Sequence, residues 1–199
     1  MLRLAGILLL FFPVFAQAGA QMYEPLSASV RAGMHIKKVT DKPVSRQQFI
    51  STFASRKKAM VWLATMTERL KKRISDPIER NDFLMTVHYE ARRASLDPQL
   101  ILSIIQVESG FKKYAVSGAG AYGYMQVMPF WLKLIGDPGH NLFHLRLNLR
   151  YGCTILQHYL IIEKGGYFRA LGRYNGSLGE DFYPKLVIGA WHGTWAYSS

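Results

Sequence analysis

The stretch from Asp97 to Gly110 constrains the fold more than any other. Asp97-Pro98 has the form of a helix start, an N-cap followed by proline at the first helical position. Leu100-Ile101-Leu102-Ser103-Ile104-Ile105-Gln106-Val107 runs on from it, and Glu108-Ser109-Gly110 ends it. Helical neighbours three, four, seven and eight residues back share a face, which sets Glu108 on the stripe of Ile105, Ile104, Ile101 and Leu100. Ser103 and Gln106 then fall toward the other side. The carboxyl of Glu108 is directed with a core-facing stripe, at the negative end of a helix dipole. Apolar surroundings and the dipole both raise a carboxyl pKa, and an acid kept protonated near neutral pH can serve as a general acid. Locally, a second reading is equally open: a glutamate at a helix end that turns out to water.

The rest of the chain repeats the helical theme. Between Ser45 and Ile74, the residues Phe49, Phe53, Met60, Leu63, Met66 and Leu70 recur at three- and four-residue steps beside a run of arginines and lysines. Asp76-Pro77-Ile78-Glu79 opens a helix to about Ser95, with Ile78, Phe83, Val87, Ala91 and Ala94 expected on its buried side and Glu90 placed to pair with Arg93. Further helices are expected from Met125-Gln126 to Gly136, from Asn148 to about Glu163, briefly over Phe168 to Tyr174, and from Tyr183-Pro184 through Trp191 and Trp195. Gln21 to Pro43 lacks periodicity and reads as a linker or loosely packed arm. No run alternates as a strand would, so the class is all-α.

Met1-Leu2-Arg3, the apolar run from Leu4 to Phe15 and the small residues up to Ala18 or Ala20 form the pattern of a secretory signal peptide. The expectation is an exported protein, periplasmic or wall-associated. Its net charge of +12 favours anionic partners, and export points to an anionic wall or membrane surface rather than to nucleic acid. Cys153 is the single cysteine, so no disulfide forms within the chain. His140 and His144 are four apart but lack the carboxylate of HExxH, and no metal site or cofactor is expected.

Ser117-Gly118-Ala119-Gly120-Ala121-Tyr122-Gly123-Tyr124-Met125-Gln126 is a loop rich in small residues, without the Walker pattern or GxGxxG. It is one of several separated motifs in a particular order. These are Leu96-Asp97-Pro98-Gln99-Leu100, Ile105-Gln106-Val107-Glu108-Ser109-Gly110-Phe111, Ala115-Val116-Ser117 and Gly120 to Pro129. Asn148-Leu149-Arg150-Tyr151-Gly152, Arg173-Tyr174-Asn175-Gly176 and Tyr183-Pro184-Lys185-Leu186-Val187 complete the set. In this order the chain resembles the soluble-type (SLT) lytic transglycosylases of family 1, whose domain is similar to goose-type lysozyme. The resemblance covers about residues 76 to 197. Tyr124 and Arg173 depart from the commonest wording, where Leu and Ala stand.

The resemblance implies an all-α lysozyme-like domain over 76–199, preceded by a signal peptide over 1–20 and a basic linker and helical extension over 21–75. It implies cleavage of the bond between N-acetylmuramic acid and N-acetylglucosamine in peptidoglycan strands by a monomer, with Glu108 as acid and then base. Ser117, Gln126, Met128, Tyr174 and Asn175 would bind substrate, and Tyr174 would donate a hydrogen bond to Glu108 or to the substrate's N-acetyl group. From Ser109 onward the only acids are Asp137, Glu163, Glu180 and Asp181, each with a simpler place in a turn, polar face or loop. A second catalytic carboxylate, which ordinary glycosidases use, is not evident. The competing readings are a lysozyme-type hydrolase and a non-catalytic wall-binding module.

Overall fold

A computed structural model describes residues 21–36, 39 and 42–198. The expected signal peptide lies outside the described residues. Within them the chain is helical: α1 (Ala28–Met34), α2 (Arg46–Ile50), α3 (Arg56–Leu70), α4 (Pro77–Arg93), α5 (Pro98–Glu108), α6 (Phe130–Ile135), α7 (Leu145–Ile162), α8 (Tyr167–Asn175) and α9 (Phe182–His192). The only β pairings among the described residues are isolated bridges, Val116 with Tyr122 and Tyr122 with Val127.

The helix α5 is the central element. Asp97 caps it by accepting from the Gln99 amide, and α4 and α9 pack against it. Burial runs unbroken from Pro98 to Ile105, so the expected polar side at Ser103 does not exist. Ser103 is fully buried and donates to the Gln99 carbonyl at 2.8 Å. A hydroxyl in a helix interior can satisfy itself on the preceding turn, which is why it survives in the core.

Beside this layer, α4 packs on α7, α7 on α8 and α8 on α9. Asp76 caps α4, accepting from the Glu79 amide at 2.7 Å. Phe83, Val87, Ala91 and Ala94 are buried as expected, but Ile78 is 73% exposed because the first turn of α4 projects past the core. Glu90, fully buried, accepts from Arg93 at 3.0 Å, from Arg146 at 3.2 Å and from Arg150. This hub ties α4 to α7.

Four boundaries differ from the periodicity. Ser45 to Ile74 is two helices rather than one, because Ser55 caps a new start by accepting from the Lys58 amide. Met125 to Pro129 is not helical: Gln126 has φ +48 and Val127 pairs with Tyr122, so α6 starts at Phe130. The helix α7 begins at Leu145, ahead of Asn148. The helix α9 ends at His192, and Trp195 is buried beyond it, its indole donating to Gln106 at 3.0 Å. The stretch read as a loose arm carries a short helix and buries Gln21, Met34 and Ile36.

Candidate active site

Glu108 is the last residue of α5 and is 6% exposed. The chain turns sharply after it. The Ser109 hydroxyl lies 3.1 Å from the Ile105 carbonyl and 2.8 Å from that of Tyr124, joining the helix end to the loop beyond. Gly110 and Phe111 both take positive φ, +56 and +70, which reverses the backbone.

The carboxyl meets neutral donors. The Tyr183 hydroxyl donates to Glu108 Oε1 at 2.7 Å, and the Asn175 side chain also hydrogen-bonds the carboxyl. Glu108 Oε2 is buried with no partner. Burial pushes the pKa up to about 8, and the bonds from Tyr183 and Asn175 only partly oppose it. The phenols of Tyr174 and Tyr183 are themselves held well above their ordinary range, first by burial and then by the adjacent Glu108 charge, so both remain hydrogen-bond donors.

The loop from Ala115 to Met128 is built around two amides. Asn148, from α7, accepts from the Met125 amide at 2.8 Å and donates to the carbonyls of Tyr122 at 2.8 Å and Leu142 at 2.9 Å. A side chain at Gly123, which has φ +75, would put its Cβ 2.5 Å from Asn148 Nδ2 and 2.7 Å from the Leu142 oxygen. Only glycine fits there. Gln126 points inward: 1% exposed, it donates to the carbonyls of Ala115 at 3.1 Å and Gly123 at 2.8 Å. A left-handed non-glycine residue costs on the order of 1–3 kcal/mol, and these bonds hold it there. Ser117, partly exposed, closes the turn by accepting from the Ala121 amide at 3.0 Å.

The structure thus brings Asn175 to Glu108 and places Ser117, Gln126 and Met128 in one loop. Tyr174 does not donate to Glu108. Its fully buried hydroxyl donates to the Met125 carbonyl at 2.8 Å, because α8 is turned so that Asn175 and not Tyr174 meets the acid. Tyr183 takes the place expected of it. The sequence reading has Tyr183 as a helix opener and as the start of the Tyr183–Val187 motif, without a role at the acid; the signals it offered were that motif and a phenol in the first turn of a helix that packs on α5. Arg173, the departure beside Tyr174, pairs with Glu163 and with Glu24.

Three of the four acids downstream of Glu108 are engaged elsewhere. Glu163 pairs with Arg169 and Arg173, Asp181 with Lys185, and Asp137 accepts from the Gly139 amide. Grooves of ≈ 430 and ≈ 460 Å³ open around Asp97, Gln99 and Tyr197. They sit at the opposite end of α5, about 16 Å away at 1.5 Å per residue, and Glu108 lines neither.

The chain is 46% identical over 52 residues to membrane-bound lytic murein transglycosylase C of Actinobacillus pleuropneumoniae serotype 5b, a match covering 26% of this chain and 14% of that protein. It is 44% identical over 69 residues to the protein of the same name from Mannheimia succiniciproducens, covering 35% and 18%. It is 38% identical over 77 residues to a transglycosylase of Enterobacteria phage PRD1, covering 34% and 29%. The matched part therefore spans less than a third of each of these relatives. Among solved structures, an inactive mutant of the lytic transglycosylase Slt from Pseudomonas aeruginosa aligns with a TM-score of 0.44 at 20% identity, over 73% of this chain and 29% of that one. The 70-kDa soluble lytic transglycosylase in complex with bulgecin A aligns with a TM-score of 0.42 at 19% identity, over 71% and 26%. Residues 85–182 match the family model of the transglycosylase SLT domain, and the helical unit that carries Glu108 belongs to that family.

Proposed function

We propose that the protein is a peptidoglycan lytic transglycosylase that cuts the β-1,4 bond between N-acetylmuramic acid and N-acetylglucosamine without water. The observation that carries this reading is Glu108: a buried carboxyl, pushed up to about 8, with one oxygen held by Tyr183 and the other unpartnered. An acid in that state has a proton to give and no internal acceptor for it.

In the reaction, Glu108 passes its proton to the glycosidic oxygen as the bond from that oxygen to the muramic C1 breaks, leaving an oxocarbenium-like centre. The carboxylate then takes the proton of the muramic C6 hydroxyl while O6 bonds to C1. The products are the released N-acetylglucosamine end and a 1,6-anhydro muramic end, and Glu108 is again protonated. No second carboxylate is required, because the substrate supplies the nucleophile. The match to the SLT family and relatives named transglycosylases support the substrate class. Ser117, Gln126, Met128, Tyr174 and Asn175 belong to the substrate side of this proposal, with Gln126 and Tyr174 acting by holding the loop. We place the enzyme in the cell envelope after export, with the signal peptide at 1–20, the basic helical extension at 21–75 and the catalytic domain at 76–199. The extension offers the wall or an anionic membrane a positive surface.

Digestion of purified glycan strands followed by mass spectrometry tests the reading. Anhydro-muramyl ends are expected. Reducing ends carrying an added water would identify a hydrolase, and binding to sacculi without release of fragments would identify a wall-binding module.

A further inference from the structure

The family match begins at residue 85, yet the loop beside Glu108 is held from far outside it. Gln21 is 4% exposed. Its Oε1 accepts from Trp131 Nε1 at 2.9 Å and from the Met128 amide at 3.4 Å, and its Nε2 donates to the Gln126 carbonyl at 3.5 Å. One carboxamide therefore grips the backbone on both sides of Val127, as a neighbouring strand would, where no strand exists. It also hydrogen-bonds Tyr174, whose hydroxyl holds Met125. Three residues on, Glu24 accepts from Arg173 at 3.0 Å, and Tyr23 lies edge-on to Phe130 with ring centres 5.7 Å apart.

These contacts converge on Gln126, the buried residue of the 115–128 loop that takes a left-handed conformation without being glycine. Its side chain and its amide are bound within the loop. Its carbonyl is taken by Gln21, more than a hundred residues away. The departure from family wording at Arg173 fits the same device, since an alanine there would leave Glu24 without this partner.

We propose that residues 21–24 form a strap that sets the Gln126–Met128 wall of the substrate site, with Gln21 as its positioning residue and the Glu24–Arg173 pair as its latch. The proposal rests on the transglycosylase reading given above. Gln21 does not touch Glu108, so the strap governs how the glycan is held and leaves the acid's titration alone.

The test uses the full mature chain with glycan strands as substrate. Gln21→Met keeps the volume and removes the amide. It is expected to raise KM about tenfold, to change kcat less than twofold, to leave the pH profile unmoved and to speed hydrogen exchange at the Met128 amide. A tenfold change corresponds to about 1.4 kcal/mol, the scale of a buried hydrogen bond. Glu24→Gln, a half-exposed change that leaves the core intact, is expected to raise KM two- to threefold in the same direction. Unaltered KM in both variants overturns the strap while leaving the transglycosylase reading in place. Faster exchange at Met128 with unaltered KM also overturns it, by reducing Gln21 to a structural role. A wild-type chain that releases no anhydro-muramyl ends overturns the reading and the strap together.

Discussion

Two glutamates lie buried in adjacent helices and meet opposite surroundings. Glu90 on α4 is fully enclosed, with three guanidinium groups around its oxygens. Glu108 on α5 is nearly as enclosed, yet its partners are a phenol, an amide and, for one oxygen, nothing. Burial alone does not make an acid catalyst. Matched to cations, a buried carboxylate is a fastener between helices; surrounded by neutral donors at a helix C-terminus, it keeps its proton. One chain holds both cases a helix apart.

The contrast breaks most visibly at the acid. Glu108→Gln is expected to reduce the release of anhydro-muropeptides about 10²–10⁴-fold while the chain stays folded, read by mass spectrometry of digests. At the other glutamate the loss is one of fold. Glu90→Gln leaves Arg93, Arg146 and Arg150 crowded without their anion, and a destabilisation of roughly 3–5 kcal/mol is expected in urea melts.

A pH series sharpens the difference. Glu108 is raised from an ordinary 4.5 to about 8, so the folded chain binds that proton more tightly than the unfolded chain does. The stabilisation it gives is complete below 4.5 and is lost as pH rises through 8, at about 1.4 kcal/mol per pH unit across the window. Urea midpoints should fall between pH 5 and 9 in the wild type and show no such fall from this group in Glu108→Gln. Activity should decline over the upper part of the same range. The smallest effect belongs to Tyr183→Phe. Loss of one neutral donor should lower turnover up to about tenfold, and because that bond pulls the Glu108 pKa down, the alkaline limb should move to higher pH.

What the sequence revealed and what it hid divide by range. The caps at Asp76 and Asp97 and the apolar stripe depend on residues within a few positions of one another, and all three are legible in the chain; the stripe offered Glu108 a core-facing place but left a solvent-facing one equally open. Tyr183 reaches Glu108 across 75 positions and Gln21 reaches Gln126 across 105, and no periodicity encodes such meetings. The segment from Met125 to Pro129 has residues a helix accepts, but Asn148 claims the Met125 amide and Val127 pairs with Tyr122, so long-range bonds override local preference. The partner of Tyr174 was not legible: its side-chain direction depends on how α8 rolls against α7, and its hydroxyl meets the Met125 carbonyl rather than Glu108.

Asn148 shows where the loop beside Glu108 gets its shape. Three backbone groups of the loop region end on this one amide of α7, and Gly123 leaves just enough room for it. The contour of the loop is therefore borrowed from a helix: take the amide away, and the Met125 amide and the carbonyls of Tyr122 and Leu142 each lose the same partner at once.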